Sequence, residues 1–385
     1  MKLIRSLLPA KPFVIANSNL TSSNVTETEY SAWASGTTYA LADRVQIVSP
    51  TSTVTVSIAS PGVVTWTAHG LPDNTPVRIT TTGGLPTGLT AGQIYFTSGG
   101  TVNAFKLSLK PDGAPINTSG SQSGTHTAVA TRDDVYESLQ ASNLGNAPAL
   151  SASWWVRVDS TNRWRMHDDS MGSQTANTDS IANVYAGTGI IDALALLNIS
   201  AQSIQVTMTD SVDGVVYDQT FSGISDAGIT DYYAWFFDPV VRITDMAITN
   251  LPPYVDAAIA VTLTDTGGTA LCGECVLGKV LDVGGTQYGM RLGIQDYSVK
   301  QRNAFGIYTV LERAFNRTSD MNVWVENAAV DAVLNILAEF RATPTVYIGA
   351  EDFGSSILFG YYKNHFIAVE FVNQSILSIE IEGLA

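Results

Sequence analysis

The sequence predicts a mainly β protein of several β-sandwich or small β modules, closed by a C-terminal α+β unit carrying one main helix. Three observations predict it. Short alternating runs of β-branched residues, broken by Gly, Pro and Asn, fill residues 50–132. Longer alternating runs follow from Asn162 onward. Only one segment, "ENAAVDAVLNILAEFR", sets Val330, Val333, Leu334, Leu337 and Phe340 at the three- and four-residue spacing of a helical face.

Taken in order, "SAWASGTTYALADRV" places Trp33, Tyr39 and Asp43 among loop-forming residues and runs into an alternating Val45–Val48. "DRVQIV" before residue 50 and "DDVYESL" after residue 132 read as two strands of one hairpin opened by an insertion. Loop tips accept such inserts when the insert's ends lie close together. The insert itself reads as a compact antiparallel sandwich or barrel. Its "GGLPTGLTAGQ" lacks the Lys and following helix of a phosphate loop and reads as β-turns. "AQSIQVTMTDSVDGVVYDQTFSG" is strand, turn, strand, with Asp213-Gly214 at the turn. "DYYAWFFDPVVRITDMAITN" and "YVDAAIAVTLTDT" continue as long strands. After the helix, Thr343-Pro344 stops the pattern and strands return. The expected organisation is residues 1–49 with 133–160 as one module and 50–132 inserted in it. A β-sandwich at 161–270 and an α+β assembly domain at 271–385 complete it.

Apolar residues at 45% against 14% charged indicate a folded chain. With 20 basic and 35 acidic residues the net charge is -15. Nucleic acid is therefore not expected as a partner, since no Lys/Arg run compensates. Anionic lipid would repel the chain, and no run approaches the roughly 18 apolar residues of a membrane span. Pro9, Lys11 and Pro12 interrupt any signal-peptide core, so the protein is expected to be made and assembled in a cytoplasm, or to leave it by another route.

Candidate chemistry is sparse. Cys272 and Cys275 in "LCGEC" sit between strand-like segments, and His69, His126, His167 and His365 do not cluster with them in sequence. They read as two small residues of a β segment, so no metal and no cofactor is expected. "WRMHDDS" gathers His167, Asp168 and Asp169 after Trp164. In an extended chain only His167 and Asp169 share a face. The segment reads as a polar turn after a buried Trp, and no catalytic residue is assigned. In "DYYAWFFD" alternation sets Tyr233, Trp235 and Phe237 on one face, Tyr232 and Phe236 on the other. Buried on both faces it is a central strand; open on one, it is an interface.

The order Trp33, Tyr39, Asp43, Val45, Tyr136, Gly145, Pro148 and Trp154 or Trp155 resembles the chitin-binding type of carbohydrate-binding module. The resemblance implies a small β module and makes Trp33, Tyr39, Tyr136, Trp154 and Trp155 the candidate sugar-binding residues. Ala42 stands where that family has Gly, and Leu139–Ser142 stand where it carries its stacking aromatic pair. The whole chain also resembles bacteriophage tail proteins. The carriers are "NLTSSNVTETEYSAWASGTTYALADRV", "VYESLQASNLGNAP", "STNRWRMHDDS", the inserted "VTWTAHGLPDNTPVRITTTGGLPTGLTAGQIYF" and "YSVKQRNAFGIYTVLERAFNRTSDMNVWVENAAVDAVLNILAEFRATPTVYIG".

That resemblance implies a structural virion protein at a tail tip or baseplate. Its partners would be other tail and baseplate proteins, and it would assemble as a homo-oligomer, by family a trimer. Two other classes compete with it. A receptor-binding protein would recognise a host cell-surface polysaccharide through the module around Trp33, Tyr39 and Tyr136. A polysaccharide-degrading enzyme would need a carboxylate pair in a groove, and no spacing singles one out.

Overall fold

The computed structural model describes residues 1–6, 19–47, 51–69, 71, 73–109, 113–130, 133–146, 148, 151–187, 189–225, 229, 231–302, 304–341, 343–350 and 353–384. Pro9, Lys11, Pro12 and Val48 lie outside the described residues. The protein is mainly β, and the chain divides into two units, Ile15–Arg165 and Met1–Val14 with Met166–Ala385.

In the first unit, Arg44–Ile47 pairs antiparallel with Asp134–Ser138, Val45 opposite Tyr136. The two halves of the opened hairpin thus meet across the insert. Trp155–Ser160 pairs with the other edge of Asp134–Ser138, and Thr38–Tyr39 pairs with Asn143–Leu144. The insert forms a closed barrel of six strands, in the order His126–Ala130, Thr51–Val56, Val63–Thr65, Ala104–Ser108, Ile94–Ser98 and Pro76–Thr81. Alternation explains it: Val54, Val56, Val77, Ile79 and Phe105 point into one buried core. Closure leaves the barrel without a free strand edge.

In the second unit, Gly214–Ser222, Ser203–Asp210, Ala258–Cys272 and Thr175–Tyr185 lie side by side in that order. Ile204, Val206 and Met208 face Leu263, Val261 and Ile259 across the register, all buried. The strand Ala258–Cys272 then passes through Gly273 into Glu274–Asp282, which belongs to a second sheet. Only glycine fits this corner. A Cβ on Gly273 would stand 2.8 Å from the Asn198 Cβ, and the Gly273 N–H donates to the Leu197 carbonyl at 3.1 Å. The boundary drawn from sequence at 270/271 falls inside this strand, and segments from both sides of it share the second sheet.

That second sheet runs Met246–Ile248, Ala193–Leu197, Glu274–Asp282, Lys2–Ser6, Thr345–Ile348, Ile357–Ala368, Gln374–Gly383, Phe315–Glu326. Gly285–Thr286 and Arg291–Asp296 both pair with Phe315–Glu326. The helix appears at Val330–Glu339 and buries Val333 and Leu337 against Val323, Val325 and Leu377, with Phe340 buried just beyond its end and Leu334 39% exposed.

One expectation is corrected. Residues 231–250 do not form a long strand. Tyr232–Phe237 is a short helix, followed by the short strands Val241–Arg242 and Met246–Ile248. The Trp235 N–H donates to the Asp231 carbonyl at 3.1 Å, closing the turn, and Pro239 cannot continue it.

Candidate interaction surface

The five candidate sugar-binding residues come together, and they form a core. Tyr39, Tyr136 and Trp155 are buried with Val45, while Trp33 and Trp154 are partly buried against them. The Tyr39 and Trp155 rings meet edge to face at 5.1 Å. The polar ends of both rings are occupied inside the module: the Ala34 N–H donates to the Tyr39 hydroxyl at 2.8 Å, and the Trp155 indole donates to the Asn146 carbonyl at 2.9 Å. None of the five is an exposed ring. Leu139, in the segment Leu139–Ser142, and the nearby Leu144 are exposed. Ala42 has φ +68°, a left-handed conformation that favours glycine.

"WRMHDDS" is a turn, with Trp164 buried as expected, but His167 is buried as well. The segment is not extended: Asn162–His167 is a 3-10 helix, which sends His167 and Asp169 to different partners. The Asp169 N–H donates to the Glu274 carboxylate at 3.2 Å. The His167 ring lies between the Cys275 carbonyl, 3.2 Å from Nδ1, and the Tyr185 hydroxyl, 3.2 Å from Nε2. Because a carbonyl only accepts, Nδ1 carries the proton and Nε2 receives the Tyr185 hydroxyl. Asn183 in turn donates to that hydroxyl at 3.1 Å. Burial pushes the imidazole down to about 4. Burial also pushes the Cys275 thiol up to about 12 and the Cys272 thiol well above its usual range. Both cysteines are free and buried. Thiols so held stay protonated and are poor nucleophiles. Among the described residues no three of His, Cys, Asp and Glu are grouped to hold a metal ion.

The surface tells more. On the helix Tyr232–Phe237 the rings of Tyr232, Tyr233, Trp235, Phe236 and Phe237 are 64–85% exposed. Tyr233 and Phe237, one helical turn apart, pack with their ring centroids 4.8 Å apart and the rings tilted by 37°. Trp235 lies elsewhere on the same turn, so Tyr233, Trp235 and Phe237 are all open to solvent without forming the single strand face that alternation predicts.

A second apolar surface was not recognised from the sequence. Val299–Arg302 pairs with Tyr308–Leu311, and this two-stranded ribbon continues the pairing of Arg291–Asp296 with Phe315–Glu326. The pairing of Phe315–Glu326 with Gln374–Gly383 ends at Thr318 opposite Glu382, so the ribbon runs past it. The alternation in "FGIYTVL" was the available signal.

A third feature is a cleft of about 370 Å³ on the face of the second sheet. Arg291, Asp320, Glu380 and Asn364 form one row across four neighbouring strands, and the exposed Phe366 lies in the next row.

No protein-family model, curated protein or solved structure matches this chain.

What these surfaces can do follows from their chemistry. Two contiguous apolar patches on one unit are suited to burial against protein, and a polar cleft with one exposed ring is suited to a hydroxyl-rich ligand.

Proposed function

We propose that this chain is a structural component of a tailed-phage virion, at the tail tip or baseplate, and acts by assembly rather than catalysis. The observation that carries the assembly reading is the exposed apolar surface of the C-terminal unit. Five rings of the helix Tyr232–Phe237 and the side chains of Phe305, Ile307, Tyr308, Val310 and Leu311 face solvent, which a free-standing soluble chain rarely tolerates on this scale. The phage assignment rests on the sequence phrases that resemble tail proteins. The buried state of Tyr39, Tyr136 and Trp155 supports a module that serves as a structural element.

The test is localisation. Antibodies raised against the purified full chain should label the tail of intact virions of the phage that encodes it, and the chain should be recovered from particles by mass spectrometry. A chain abundant in the infected lysate but missing from purified particles would overturn the reading.

One observation favours recognition of a host glycan as the second reading, and it moves the site. The row Arg291, Asp320, Glu380 and Asn364 beside Phe366 offers the charged and amide partners that bind sugar hydroxyls. Saturable binding of the full chain to host surface polysaccharide, lost in Asp320→Ala, would support it. Loss in a folded Trp33→Ala instead would return the site to the module.

A further inference from the structure

The sequence from Tyr297 to Arg317, "YSVKQRNAFGIYTVLERAFNR", differs in charge from the rest of the chain. It holds four of the 20 basic residues and one of the 35 acidic ones, so the remainder carries 16 basic against 34 acidic. Folded, its Val299–Arg302 and Tyr308–Leu311 form the two-stranded ribbon, while Phe315–Arg317 begins the strand Phe315–Glu326, and among the described strands none pairs with the outer edge of either ribbon strand. Phe305, Ile307, Tyr308, Val310 and Leu311 are 55–90% exposed. A two-stranded hairpin by itself is marginal in water, and gains stability from a third strand or an apolar surface to pack on.

The same unit carries a surface of matching chemistry. The five exposed rings of Tyr232–Phe237 are bracketed by Asp231 and Asp238, so an apolar patch with carboxylates at its ends stands against an apolar ribbon with Arg302 and Arg313 at its flanks. Both surfaces are exposed within one copy, so neither covers the other there.

We propose that the ribbon of Val299–Arg302 and Tyr308–Leu311 in one copy docks on the Asp231–Val241 segment of a second copy of this chain. It rests on the assembly reading above only for its choice of partner. The two surfaces differ, so the contact is head to tail, and copies related by it close into a ring if the rotation permits. Hydrophobic burial supplies the adhesion, and the carboxylate–guanidinium pairs at the margins set register and exclude the ribbon-to-ribbon pairing that would bring the basic residues together.

Sedimentation of the full chain across a concentration series tests this. The wild type should associate reversibly. Arg302→Glu with Arg313→Glu, or Asp231→Arg with Asp238→Arg, should each weaken association by about tenfold or more, with the circular dichroism unchanged. Combining all four changes in one chain should restore it. Arg302 packs over Tyr308 at 5.1 Å, so Val310→Asp, on the exposed strand, serves as a second ribbon variant that leaves this contact intact. A wild type that stays monomeric, reversals without effect, or a fourfold variant that fails to recover would each overturn the proposal. So would a monomer whose ribbon instead binds vesicles of anionic phospholipid. A chain present in virions, with ribbon variants incorporated as well as wild type, removes this proposal and leaves the assembly reading. A chain absent from virions whose self-association obeys the charge swap does the reverse.

Discussion

The Tyr185 hydroxyl lies 3.2 Å from Nε2 of His167, and the two rings, both buried, meet edge to face at 5.6 Å. Tyr185 belongs to the strand Thr175–Tyr185, whereas the Cys275 carbonyl on the far side of the imidazole belongs to Glu274–Asp282 in the other sheet. The chain Asn183, Tyr185, His167, Cys275 is therefore a polar tie between the two large sheets of the C-terminal unit. It does structural work in a place where sequence proximity offers two aspartates beside a histidine.

Tyr185→Phe tests the tie. It removes the donor to His167 and the acceptor of Asn183 while keeping the ring, and buried polar groups stripped of a partner cost about 1–3 kcal/mol. Urea unfolding should show a loss of that size. An unchanged midpoint would mean that the hydroxyl contributes nothing.

The buried imidazole also makes stability depend on pH. Its folded value, about 4, lies below the ordinary 6.5, so the unfolded chain binds the proton more readily between those limits. The stabilisation is complete above pH 6.5 and is lost as pH falls through 4, amounting to about 3 kcal/mol at full extent. Glu274 acts in the opposite direction. Burial, with Asp169 and Asp168 adding to it, holds its carboxyl above the usual range, so its contribution is present in acid and declines as pH rises from its unfolded value. Comparing wild type with His167→Asn at each pH cancels the Glu274 contribution. The stability difference should shrink as pH is lowered from 6.5 to 4. A difference independent of pH would show that His167 binds its proton equally well in the folded and the unfolded chain.

Trp155→Ala should destabilise the N-terminal unit by about 3–5 kcal/mol, the cost of emptying a core site of that size. Trp33→Ala, at the partly buried margin, should cost less. Equal and negligible effects in denaturant unfolding would show that the aromatics are not packed as core.

Ala42→Gly should raise stability by about 1 kcal/mol or slightly less. An L residue at φ +68° carries a steric penalty that Gly escapes, partly offset by the greater freedom Gly has when unfolded. The turn itself is anchored, because the Ala42 N–H donates to the Ser138 carbonyl at 2.8 Å. A destabilised variant would mean that the entropy outweighs the relief.

What the sequence by itself determined was local pattern and its immediate consequences. Alternation identified the strands, the three- and four-residue spacing of Val333, Leu337 and Phe340 identified the helix, and matched strand texture on either side of residues 50–132 identified one hairpin with an insert. Each needs only neighbours along the chain, since a side chain's face follows from the backbone period. The run Tyr232–Phe237 defeated that logic. Aromatic residues suit strands, and the helical signals, Asp231 before and Pro239 after, were weaker than the alternation. Only the tertiary structure decided which rings face water. Trp155 and Trp235 carry the same side chain, yet one is enclosed by strands that adjoin only after the 83 residues 50–132 are looped out, and the other, on the helix Tyr232–Phe237, is 64% exposed. Burial is decided by residues far away in sequence, and so is the corner at Gly273. No period in the sequence records such distant partners.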